Sequence, residues 1–95
     1  MATNVYRYTF SGGTSMDDVE ASLVLALMAV ESLHGTSHSR LDAAHFFDAD
    51  GRACVIDGST VVGQHLNRLF VGFLSREFGP DSFTVSRVHG DAAKA

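Results

Sequence analysis

The segment RLDAAHFFDADGRACVID, residues 40–57, decides the fold. Two apolar-rich runs flank Asp48-Ala49-Asp50-Gly51, a turn sequence in which aspartate suits the early position and glycine a left-handed one at the end. Residues 40–47 read as a strand with Leu41, Ala43, His45 and Phe47 on one face. Residues 52–57 return as a partner strand with an apolar Cys54-Val55-Ile56 centre. Phe46 and Phe47 are adjacent, so they point to opposite faces. One aromatic must therefore lie on whichever side of the sheet the helices leave open.

Upstream of this hairpin, residues 5–10 (VYRYTF) alternate in character, with Tyr6, Tyr8 and Phe10 on one side and Val5, Arg7 and Thr9 on the other. That pattern is a strand, ended by Ser11-Gly12-Gly13. Thr14 or Ser15 caps a helix whose first turn carries Asp17 and Asp18 at its positive end. The helix runs to about Leu33, where Gly35 supplies a left-handed cap and His34 sits at the negative end. Downstream of the hairpin, residues 57–60 (DGST) open a second helix that runs to about Phe78. Val62, Leu66, Leu69, Phe70 and Phe73 form its apolar stripe, and Gly79-Pro80 ends it. Residues 82–88 form a last strand with Phe83 and Val85 on one face.

The order strand, helix, strand, strand, helix, strand predicts a ferredoxin-like split βαβ arrangement. It is an α+β fold, a four-stranded antiparallel sheet with both helices on one face and spatial order 4-1-3-2. Ninety-five residues suit a single domain, ordered over about 4–89 with a frayed tail at 90–95. This fold hosts many unrelated activities, so function has to come from particular residues.

Composition narrows the classes. The chain is 45% hydrophobic and 19% charged, the balance of a folded domain, with a net charge of −4. A mildly acidic surface repels phosphate backbones, and no RNP-like pattern surrounds Tyr6 and Tyr8, which predicts no nucleic-acid partner. The N-terminal residues lack a basic segment leading into an apolar one, and no apolar run reaches membrane-spanning length. A single cysteine, Cys54, suits a reducing cytoplasm.

Candidate chemistry is sparse. His34 and His38 are four apart, but Gly35 interrupts the helix between them, and no third ligand completes a set; neither a metal nor another cofactor is expected. The Asp48–Gly51 turn has the look of a calcium loop's opening. However, Ser59 stands where an EF-hand needs its bidentate glutamate. Residues 57–60 offer an anion site only if their backbone amides are free. Cys54 pairs with His45 as a nucleophile and base only if the hairpin brings them together on one face. Nothing here amounts to a catalytic signature.

The strongest lead is the apolar block LVLALMAV at residues 23–30. At about 100° per residue, Met16, Val19, Leu23, Ala26, Leu27, Val30 and Leu33 gather on a core-facing side. Ala21, Val24, Leu25 and Met28 gather on the opposite side, which a two-layer fold leaves in water. A helix apolar on both sides calls for a partner. A second copy, in a dimer, is the first expectation, and an unknown protein is another. The chain thus reads as a self-associating binding or assembly module, not as an enzyme. The alternative is a small-ligand binder or enzyme, with a pocket between sheet and helices or at a subunit interface. Tyr8, Arg40, Asp42, His45 and Cys54 are the polar residues available to line it.

Overall fold

The computed structural model describes residues 4–35 and 44–88. Its elements are β1 (Val5–Phe10), α1 (Met16–His34), β2 (His45–Asp48), β3 (Ala53–Asp57), α2 (Val61–Phe78), a 3-10 turn (Pro80–Ser82) and β4 (Phe83–Val88). The strands form one antiparallel sheet in the order β2-β3-β1-β4. From the other edge this reads β4-β1-β3-β2, the order that split βαβ connectivity requires, with β1 and β3 in the centre. β2 is described from His45 onward. Arg40, Leu41, Asp42 and Ala43 of the expected strand lie outside the described residues, as does the tail at 89–95.

Strand alternation builds the core. Tyr8 and Phe10 of β1 and Cys54 and Ile56 of β3 turn towards the helices and are buried. α1 meets them with Val19, Leu23, Ala26 and Val30, and α2 with Val62, Leu66, Phe70 and Leu74, a run of four-residue steps along one face. The Tyr8 ring lies 4.9 Å from Phe70 and stacks on Phe10 and Phe83 at 6.4 and 6.2 Å. The Tyr8 hydroxyl, which cannot be left unpaired at this depth, donates to the side-chain oxygen of Asn67. Phe47, across from Cys54, packs against this core. Phe46, across from Val55, is 64% exposed on the open face.

The helix ends follow from local chemistry. The Ser15 hydroxyl accepts from the Asp18 amide at the start of α1, and Thr60 accepts from Gly63 at the start of α2. Thr14 is instead buried, its hydroxyl 3.0 Å from that of Ser11. Gly35 and Gly79 close the two helices at φ 87° and 88°, each donating its N–H four residues back.

Two expectations are corrected. Leu33, placed in the core by its helical spacing, is 68% exposed. A helix of 19 residues is about 28 Å long, whereas a six-residue strand covers about 20 Å, so the last turn of α1 overhangs the sheet. In the hairpin, the left-handed residue is Arg52 at φ 52°, not Gly51. The Gly51 amide donates to the Asp48 carboxylate at 3.0 Å. The Arg52 guanidinium then reaches back to donate to the carbonyls of Ser11 and Thr14, tying the hairpin to the loop before α1.

Candidate interface on the outer face of the first helix

α1 is built from good helix formers, so its apolar residues are free to serve either side. Once Val19, Leu23, Ala26 and Val30 are committed to the sheet, geometry turns Ala21, Val24, Leu25 and Met28 outward. All four are exposed, the three large ones at 48%, 57% and 59%. The rim is acidic and polar: Asp17 and Glu20 are exposed, Glu31 is half-buried, and the Ser32 hydroxyl folds back on the Met28 carbonyl at 3.1 Å. Such a face carries no donor, acceptor or titratable group at its centre. It can exclude water and can do no acid–base or nucleophilic work.

The open side of the sheet is another uncovered surface. Phe46, Val55, Arg7 and Ser86 form one row across it, Phe46 exposed and Val55 half-buried. The Arg7 cation and the Ser86 hydroxyl interrupt its apolar character. Tyr6 and Tyr8, the aromatics of the central strand, turn to the helices, so they offer no stacking platform for bases on this side.

Of the polar residues that the sequence offers as ligand-lining, the pairing of β1 with β3 sets Tyr8 directly across from Cys54, but inside the core and not on a pocket wall. Tyr8 and Cys54 have no solvent-accessible surface. Burial pushes the Cys54 thiol up to about 12, away from the thiolate that nucleophilic chemistry requires. Burial likewise raises the Tyr8 phenol, with Cys54 and Tyr6 adding smaller contributions. His45 shares the helix-facing side of the hairpin but sits exposed on edge strand β2 across from Ile56, while Cys54 lies across from Phe47. Arg40 and Asp42 lie outside the described residues. Around the start of α2 the Gly58 amide donates to the Asn4 carbonyl, Ser59 to the Asp57 carboxylate and Gly63 to Thr60, so these three are not free to hold an anion.

One juxtaposition escaped sequence reasoning. His34 at the end of α1 and His65 in α2 stack with ring centroids 4.8 Å apart, and Nε2 of His34 is 2.7 Å from Nδ1 of His65. At that distance one nitrogen donates and the other accepts, which ties the end of α1 to α2. No third ligand joins them: among the described residues no group of three or more His, Cys, Asp or Glu is placed to hold a metal ion. Beside the pair lies an open, mostly apolar groove of about 210 Å3 lined by Leu33, His65, Arg68 and Leu69. The sequence could not signal this pair, because the two histidines are 31 positions apart and no spacing rule links them.

No protein-family model, curated protein or solved structure matches the chain. Among the described residues, no helix is long and apolar enough to cross a membrane.

Proposed function

We propose that this chain is a small self-associating α+β module, working in a reducing compartment such as the cytoplasm, whose function is assembly through the outer face of α1. The observation that carries this is the exposure of Val24, Leu25 and Met28 together on one helical side. Cys54, free and buried, fits the reducing setting. Magnitudes set the expected strength. Full burial of such a side chain is worth about 1.5–3 kcal/mol, and roughly half of each remains to be buried. Six of them in a dimer give about 5–9 kcal/mol, near the low end of the association cost of about 4–15 kcal/mol. The dimer is therefore weak and concentration-dependent. Light scattering at protein concentrations from about 10 μM to about 1 mM is expected to rise from the 10.2 kDa protomer mass towards twice that value. A mass fixed at one protomer throughout would remove the proposal.

A second reading, a small-ligand binder, has one observation in its favour: the groove beside His65 and Arg68. Its roughly 210 Å3 falls short of the usual ligand-pocket range of about 300–1,000 Å3, and it lies on the helical flank, not between sheet and helices. It ranks second for that reason. A thermal-shift screen against small carboxylic acids and their neutral isosteres tests it, with a rise for the acids that Arg68→Gln abolishes as the expected result.

A further inference from the structure

We infer that His34, His65 and Arg68 act together as a proton-linked site for a small aliphatic carboxylate, the histidine pair taking up a proton as the ligand binds. This rests on the second reading, that the groove beside His65 and Arg68 takes a small ligand, and it adds the part played by His34 and the control by pH.

The groove selects the class of ligand. His65 and Arg68 are three residues apart in α2, so their side chains are neighbours on one helical face. Both line the groove, and Leu33 and Leu69 supply its apolar walls. Among the described residues no carboxylate lines it, although the chain as a whole carries a net charge of −4. A guanidinium beside an imidazole, set between leucines, complements an anion with a short apolar body. The planar fork of arginine matches the two oxygens of a carboxylate. At about 210 Å3 the groove suits a chain of a few carbons.

The histidine pair supplies the link to protons. The contact between Nε2 of His34 and Nδ1 of His65, at 2.7 Å, uses one nitrogen of each ring and leaves Nε2 of His65 for the ligand. When His65 takes an added proton, its Nδ1–H donates to His34 and its Nε2–H donates to the carboxylate. His34 stays neutral as the acceptor, with its own hydrogen on Nδ1. One added proton thus keeps the bond between the helices and makes the bond to the ligand charge-assisted, about twice as strong as a neutral one. A second would set two donors face to face with no acceptor, so uptake stops at one. Four other charged or titratable side chains surround the pair. Glu31 lies one turn before His34 on α1, and Arg68 one turn after His65 on α2. His45 and Asp57 stand at the same end of the sheet, and the Asp57 carboxylate accepts from the Ser59 amide. Arg68 repels an added proton while the groove is empty and is neutralised once a carboxylate sits on it, which sharpens the coupling. The bound state holds more protons than the free state, so affinity rises as pH falls through the range in which imidazoles change charge, about pH 8 to 5.

Titration of the full chain with sodium butanoate tests the coupling, followed by NMR at fixed ionic strength at about pH 6 and about pH 8, where the ligand itself stays ionised. Butanamide is the neutral control. The dissociation constant should be about five-fold lower at the acidic pH, and the ring nitrogen signals of His65 should move to the imidazolium pattern as butanoate saturates the site. His65→Phe should leave weaker binding with one constant at both pH values. His34→Phe, which keeps a ring but removes the acceptor, should shrink the difference to less than about two-fold. A constant that is the same at both pH values, for binding that Arg68→Gln abolishes, would overturn the proton coupling and leave the ligand-binding reading in place. No response to butanoate at either pH would overturn that reading as well. A five-fold difference that survives in either phenylalanine variant would assign the proton to other groups and overturn the role of the pair.

Discussion

Among single residues, Gly63 is the position where two opposed effects can be ranked. Alanine there would improve helix propensity by about 1 kcal/mol. Its Cβ, however, would meet the Asp57 carbonyl oxygen at 2.0 Å, a backbone atom that cannot rotate away. Overpacking of this kind typically costs about 1–3 kcal/mol, and a clash this close belongs at or beyond the upper end. Gly63→Ala should therefore lower stability by about 2 kcal/mol net in urea denaturation. Cys54 gives a pH prediction. Its thiol is raised from an ordinary 9.0 to about 12 in the fold, so above 9 the unfolded chain loses a proton that the folded chain keeps. The stability it contributes is complete below pH 9 and is lost as pH rises to 12, and Tyr8, raised by the same burial, adds to the loss. Chemical denaturation midpoints should fall across that window, and less steeply in Cys54→Ala once its lower baseline is subtracted. Alternation along the strand showed that Phe46 and Phe47 must diverge; only the pairing of Phe47 with Cys54 shows which one turns inward. Gly51 was legible as a turn residue, but the left-handed position falls one residue later, on Arg52, which the turn rule does not foresee.

At the level of elements, helix ends were the most readable features, because caps are local. Thr60 and Ser15 illustrate it, and their geometry ranks them. Thr60 accepts at 2.9 Å in a half-buried setting, Ser15 at 3.3 Å in an exposed one. Thr60→Ala should cost about 1–2 kcal/mol and Ser15→Ala about 0.5–1 kcal/mol in thermal unfolding. The reverse ranking would mean that tertiary packing, not the caps, fixes the ends. The errors were those of extent. Leu33 carried the right spacing for the core, but spacing gives direction and not the point where the sheet stops. His65 sits in α2 one position before the stripe residue Leu66, and its value lies in meeting His34 across the helix pair. Arg52 similarly reads as a turn-flanking charge until the fold brings the carbonyls of Ser11 and Thr14 within its reach. Removing that clamp in Arg52→Ala should destabilise by about 1.5–3 kcal/mol, the range for hydrogen bonds made by a charged group.

For the whole molecule, strand order and the one-sided placement of the helices were legible because connectivity and handedness leave few alternatives. The candidate interface was legible as a pattern on α1, since a helical wheel assigns both sides of a helix once the core side is known. What the pattern left open is which uncovered surface a partner prefers. The outer face of α1 and the open sheet face around Phe46 are both exposed, and only the former is apolar without interruption by a charged side chain. The most direct measurement compares two charge insertions by light scattering, at a concentration where the parent chain is dimeric. Val24→Glu combined with Met28→Glu should return the protein to the 10.2 kDa protomer mass, while Phe46→Glu on the open sheet face leaves the dimer in place. Dimer mass retained in the double variant, or lost in Phe46→Glu, would contradict the assignment of the interface to α1.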